Sequence, residues 1–126
     1  FLFAREALKA MTPRGAGTLI FTGASASMRG KPNFAAFTAG KAGLRAMAQS
    51  LAREFSPQGI HIGHVVIDGG INGERLKSAN PGAAERLGGE GLIGLQGISD
   101  AYIYLYRQPR NAWTHELVLR THKEIF

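Results

Sequence analysis

The sequence predicts an α/β fold in which helices cover a parallel sheet, and three observations point there. Two short apolar runs, residues 18–22 (TLIFT) and 60–68 (IHIGHVVID), have the length and composition of buried strands. Between them residues 34–55 place Phe37, Leu44, Met47, Leu51 and Phe55 on one stripe at helical spacing, with Arg45, Gln49 and Arg53 off it. Strand, loop, long helix, strand is a βαβ unit, because parallel neighbours need such a crossover. In open sheets of this kind ligands lie beyond the carboxyl ends of the strands, so residues 22–27 and 68–73 are the candidate site.

The remaining elements follow in order. Phe1, Phe3, Ala7, Leu8 and Met11 recur at helical spacing around Arg5, Glu6 and Lys9, so the chain opens inside a helix. With no initiating Met, it reads as the later part of something longer, the alternative being a processed N-terminus. Residues 12–17 (TPRGAG) break that helix, and a loop over 23–32 follows the first strand. Residues 56–59 (SPQG) end the long helix, and Gly69 and Gly70 close the second strand with a turn. Residues 72–97 are less regular, with a short helix over 72–78 and a Gly-rich stretch over 82–97 suited to a mobile lid. Ser99 reads as an N-cap, with Asp100 at the positive end of the helix dipole, for a helix reaching Arg107 before Pro109. A last strand covers 116–120. No internal repeat is visible, and residues 1–126 form a single domain.

Composition narrows the function classes. At 44% hydrophobic and 19% charged residues the 126-residue chain is globular rather than disordered. Fifteen Lys and Arg against nine Asp and Glu leave +6, but the basic residues are dispersed, which argues against nucleic acid. Without Cys there is no disulfide framework, thiolate metal site or Cys nucleophile, as a reducing compartment permits. No apolar run approaches membrane-spanning length and no signal peptide is apparent, so the expected location is cytoplasmic, without a membrane partner.

Three motifs invite chemistry and fail on context. Residues 89–94 (GEGLIG) spell GxGxxG, but residues 83–87 before them read as helix instead of the strand that a dinucleotide cradle needs. Residues 23–27 (GASAS) approach a GxSxG nucleophile elbow, with Ser25, Asp68 and His115 or His122 in hydrolase order, but the fifth residue is Ser27 instead of Gly. His61 and His64 lie three apart on a strand and face opposite ways, so they share no metal; no metal site is expected.

Phe37 and Lys41, four apart, share a helix face among the small residues Thr38, Ala39, Gly40, Ala42 and Gly43. The run TLIFTGASASMRGKPNFAAFTAGKAGLRAMAQSLAREFSPQGIHIGHVVIDGGI resembles the catalytic half of short-chain dehydrogenases/reductases, where a Ser-bearing loop precedes a YxxxK helix and a Pro-Gly turn. The ending ISDAYIYLYRQPRNAWTHELVLR resembles the last helix and strand of a divergent subgroup. The resemblance implies a Rossmann-like three-layer αβα fold of which this chain is the C-terminal half, since the family's TGxxxGxG turn, NNAG segment and helix Asn would precede Phe1. It implies an NAD- or NADP-dependent oxidoreductase acting on a small carbonyl or alcohol compound. Lys41 would bind the nicotinamide ribose. Phe37 holds the position of the acid/base Tyr and has no proton to give, while the Ser position falls on Ala24, with Ser25 one step away. Lys41, Phe37 and Ser25 are therefore the implied catalytic positions, and Thr22, Gly23, Lys41, Asp68, Gly69, Gly70, Ile71 and Asn72 the implied cofactor contacts. Asp68-Gly69 replaces Pro-Gly, and Gly73 replaces the Thr that often follows. Substrate choice would lie within residues 72–97, and cofactor binding by this half alone would be weak or nil. Relatives pair through helices matching residues 1–11 and 34–55, which implies a homo-oligomer, dimer or tetramer. The alternative is a non-catalytic homologue kept for binding or assembly.

Overall fold

A computed structural model describes residues 1–124, apart from the side chains of residues 83 and 84. Helix α1 (Leu2–Met11) stops at a turn containing Pro13, and Gly15 at φ 57° redirects the chain. Strand β1 (Gly17–Ala24) outlasts its apolar run because it pairs with the next strand along its whole length. A short turn, Ser25–Ser27, and a loop lead to helix α2 (Ala35–Phe55), which ends at Pro57 and Gly59. Gly59 is required there: its φ is 83°, and a Cβ would strike the Gly15 carbonyl oxygen. Strand β2 (Ile60–Ile67), helices α3 (Glu74–Ala79), α4 (Gly82–Leu87) and α5 (Leu95–Arg107), and strand β3 (Glu116–Leu119) complete the chain.

Ser99 is not the N-cap of α5. The helix starts five residues earlier, with Gly94 as N-cap, and Ser99 Oγ donates to the Leu95 carbonyl at 3.1 Å. The stripe Ile98, Ala101, Tyr102, Leu105 explains the shift, since burying Ile98 with the others requires helix before Ser99. Asp100 instead accepts a bond from Gln96. Within the Gly-rich stretch Leu92 and Ile93 are buried, and Ile93 bridges in parallel to Ile71 beyond the end of β2.

The sheet is parallel, in order β1-β2-β3. All eight residues of central β2 are buried, as its mostly apolar character requires, and its two histidines are buried with hydrogen-bond partners. Alternation divides its side chains between two cores. Ile60 and Ile62 meet Leu19, Ala4, Leu8 and Leu51 beneath α1 and α2. Val65 and Ile67 meet Ile93 and Leu105 beneath α5. Helices thus cover both faces in three αβα layers. Phe37, placed by spacing on the buried stripe, is instead 49% exposed. The reason is length: the 21 residues of α2 span about 31 Å at helical rise. Eight-residue strands span about 26 Å, so the first turns of α2 overhang the sheet.

Leu105 is fully buried and joins α5 to the sheet. Leu105→Ala is expected to lower unfolding stability by about 3 kcal/mol through lost apolar contact and a residual cavity, as read by urea denaturation.

Candidate functional site

The site forms where β1 and β2 end. At the last residues of β1 the backbone N–H of Ala24 donates to Ser27 Oγ at 3.1 Å, which holds the Ser25–Ser27 turn against the strand. Gly23 is glycine because His64 lies across it: a Cβ there would collide with His64 Nε2 and Ser27 Oγ. Ser27 is accordingly buried, and the other hydroxyl of this turn belongs to Ser25.

Ser25 is hydrogen-bonded to Asp68, the first residue beyond β2. Asp68 is fully buried, and three further contacts compensate its charge. Arg29, from the loop after β1, donates through Nη2 to Oδ1 at 2.7 Å and through Nη1 to Oδ2 at 3.2 Å. Arg120, just after β3, brings Nη2 within 3.4 Å of Oδ2. Arg29 also lies 3.6 Å from Glu124. Burial by itself would push the Asp68 carboxyl up. The Arg29 and Ser25 hydrogen bonds and the two guanidinium charges outweigh it and hold the group below the usual carboxylate range.

A second network ties α2 to the sheet. Arg45 grips Glu116 with Nη2 to Oε1 at 2.7 Å and Nε to Oε2 at 2.8 Å, and His64 Nδ1 lies 2.9 Å from the same Oε2. The Arg45 hydrogen bond, assisted by His64, holds the Glu116 carboxyl low against the opposing effect of burial. His61 points to the other face, with Nε2 2.9 Å from the Thr114 carbonyl oxygen and its ring stacked on Trp113. The two strand histidines do face opposite ways. His115 bonds the Ile62 carbonyl, and His122 lies opposite Glu90, so neither histidine is bonded to Ser25 or Asp68.

The overhanging start of α2 places Phe37 and Lys41 beside these groups. Lys41 Nζ donates to the Thr22 carbonyl at 2.9 Å and lies 5.9 Å from the centre of the Phe37 ring. Phe34 packs edge-on against Phe37 at 6.4 Å. Thr22 is anchored from the opposite face through Oγ1, 2.5 Å from Tyr102 OH. Across the gap, Gly70 and Asn72 bond the backbone of Ile93, and Ile71 is partly exposed. A cavity of about 460 Å³ opens between these walls, lined among others by Ser25, Arg29, Lys31, Phe34, Phe37 and Leu76. A larger groove lies at the far end of α2, between Leu51, Phe55 and α1, away from this chemistry.

The structure therefore brings Thr22, Ser25, Phe37, Lys41 and the 68–72 turn to one end of the sheet. Arg29, Arg45, Glu116 and Arg120 escape sequence reasoning, because charges isolated in loops and at strand ends carry no periodicity that pairs them. Among the described residues no three His, Asp or Glu side chains converge to hold a metal, and no helix is long and apolar enough to cross a membrane.

Residues 1–83 match the family model described as short chain dehydrogenase. The chain is 38% identical over 85 residues to a 2,3-dihydroxy-2,3-dihydro-p-cumate dehydrogenase of Pseudomonas putida, covering 65% of this chain and 32% of that protein. Among solved structures, a short-chain dehydrogenase from Rhodopseudomonas palustris is 37% identical with a TM-score of 0.69, over 94% of this chain and 44% of that one. A serine dehydrogenase in its closed form, complexed with NADP+, superposes with a TM-score of 0.80 at 17% identity, over 98% of this chain and 51% of that one, a likeness of fold. The chain thus spans about a third to a half of the length of these relatives.

The Asp68 cluster makes stability depend on acid. Its folded pKa lies below its unfolded value, so its contribution is complete above the unfolded carboxylate range and is lost as pH falls through the folded value. Thermal midpoints should fall on acidification from pH 5 toward pH 2, taking about pH 3.9 as the unfolded reference. Asp68→Asn, which removes the buried negative charge facing two guanidinium groups, should cost about 3 kcal/mol at neutral pH and flatten that dependence, as read by chemical denaturation across pH.

Proposed function

The chain belongs to the short-chain dehydrogenase family, and from that premise we propose that it forms the substrate-side half of an NAD- or NADP-dependent oxidoreductase acting on a small carbonyl or alcohol compound. The observation that carries this reading is Lys41, pinned at the end of β1 through the Thr22 carbonyl, beside an apolar cavity. A nicotinamide coenzyme, when bound, supplies or accepts the hydride. Lys41 suits the ribose hydroxyls, and the backbone of Gly69, Gly70, Ile71 and Asn72 suits the carboxamide end. The described residues supply no strand-turn-helix cradle for the pyrophosphate: the Gly89-to-Gly94 segment follows α4, and Gly91 is packed against Leu87. Binding by this chain alone is therefore weak.

Ser25 and Phe37 define the proton chemistry. The single proton of Ser25 is directed to Asp68, which leaves its oxygen free to accept a hydrogen bond from a substrate hydroxyl. Phe37 offers no proton, so no general acid stands four residues before Lys41. That same residue favours a second reading, a homologue retained for binding or assembly. Assembly has a surface to use: Phe1, Leu2 and Phe3 are 75%, 65% and 81% exposed beside the groove between α1 and α2.

Two outcomes follow. In a chimera joining the first half of the Rhodopseudomonas palustris relative to this chain, NAD(P)H oxidation with a generic aldehyde should be slow, and Phe37→Tyr should raise it at least about tenfold, since positioned acid catalysis contributes ~10²–10⁴. Ala24→Ser with Phe37→Tyr should raise it further. Fast turnover unaffected by Phe37→Tyr would place the acid elsewhere, and an inert double variant would favour the non-catalytic reading. Light scattering should also report a dimer or tetramer at micromolar concentrations, and a sharp monomer peak would refute assembly.

A further inference from the structure

We propose that the cavity beside Phe37 selects compounds that carry a carboxylate on a compact apolar body, with Lys31 as the residue that holds the carboxylate. The inference rests on the reading of this cavity as the substrate side, and it deepens that reading by naming the substrate class.

The walls are mostly hydrocarbon. Phe34 and Phe37, about half exposed and packed edge to face, form one side, while Ala24, Ala26, Ile67 and Leu76 close the others. A volume of about 460 Å³ lies in the range of sites that enclose small organic ligands. Two cationic side chains reach this cavity, and they differ in what they have left to offer. Both terminal nitrogens of Arg29 are taken by Asp68, with Glu124 as a further neighbour. Among the described residues Lys31 makes no ion pair and no acidic side chain lines the cavity.

Lys31 is also well placed. Its carbonyl accepts the Phe34 N–H at 3.2 Å, closing a tight turn that runs directly into α2. Asn33 holds the left-handed conformation that this turn demands, at φ 68°, a geometry Asn tolerates better than most residues. The turn holds the backbone of Lys31 next to α2, and its side chain lines the same cavity as the Phe34 and Phe37 rings, whose hydrocarbon displaces part of the water that would screen an anion there. Phe34 caps α2 without a side-chain bond, and no acid occupies the first turn, so the helix dipole reinforces the same sign. One available ammonium without a free guanidinium fork matches a monoanionic carboxylate better than a phosphate dianion, which draws several donors.

The test titrates benzoate and its neutral isostere benzamide into the chain at low salt, with backbone amide shifts recorded by NMR. Benzoate should shift amides of residues 34–38 and Gly69 and bind about fivefold more tightly than benzamide, the upper end for a partly exposed ion pair. Lys31→Gln should erase that preference, Lys9→Gln on α1 should leave it intact, and half-molar salt should shrink it. Equal binding of the two compounds at those amides would overturn carboxylate selection while leaving the cavity as the substrate side. A preference that survives Lys31→Gln would overturn the assignment to Lys31, and tighter binding of inorganic phosphate would overturn the ligand class. Shifts confined to other regions would overturn the proposal together with the reading on which it rests.

Discussion

A carboxylate sealed from water, Asp68, is the constraint on which the site depends. It sits just past β2, where the loop from β1 and the end of β3 converge, and arginines from both segments reach it. A buried charge is tolerated only when its partners are close and correctly aimed. Asp68 therefore dictates where Arg29 and Arg120 must lie, and with Arg29 the path of residues 25–31. Ser25 is oriented by the same carboxylate, and Lys31 reaches the cavity because the loop is anchored two residues earlier.

Helix α2 is fixed at three levels. Its carboxyl-terminal half is held by apolar burial of Ala48 and Leu51 against β1 and β2. One turn toward the amino end, Arg45 is clamped to Glu116 of β3. A further turn on, Lys41 bonds the backbone of β1. Spacing of four residues puts Phe37, Lys41 and Arg45 along one line of the helix, so packing at one end sets the position of a charge at the other. His64 completes the arrangement: its ring fits only because residue 23 has no Cβ, and it shares a Glu116 oxygen with Arg45.

Membership of the short-chain dehydrogenase family gives these contacts a purpose that the fold alone would not. The chain spans about half of the structures that resemble it, and the residues at its strand ends are the ones gathered around Asp68. Phe37 sits on the overhanging start of α2 with its ring half exposed, so the architecture does not depend on it as a packing element.

The amino-acid sequence by itself determined the βαβ unit, the parallel sheet, the long helix and the opposed histidines of β2. Each is written in local periodicity, which records which side of an element is buried. It also placed Lys41 and Phe37 on one helix face through their spacing. It misjudged the start of α5, where the polar Ser99 resembled a cap although the stripe beginning at Ile98 required helix before it. It put Phe37 on the apolar stripe of the long helix, and periodicity does not report where a sheet ends and leaves such a ring half exposed. Only the tertiary structure decided the partners of Asp68 and Glu116, since Arg29, Arg45 and Arg120 lie 39, 71 and 52 positions away in sequence. Such pairs are chosen by which strand ends and loops the folded chain brings within reach, and by the cost of leaving a buried charge alone.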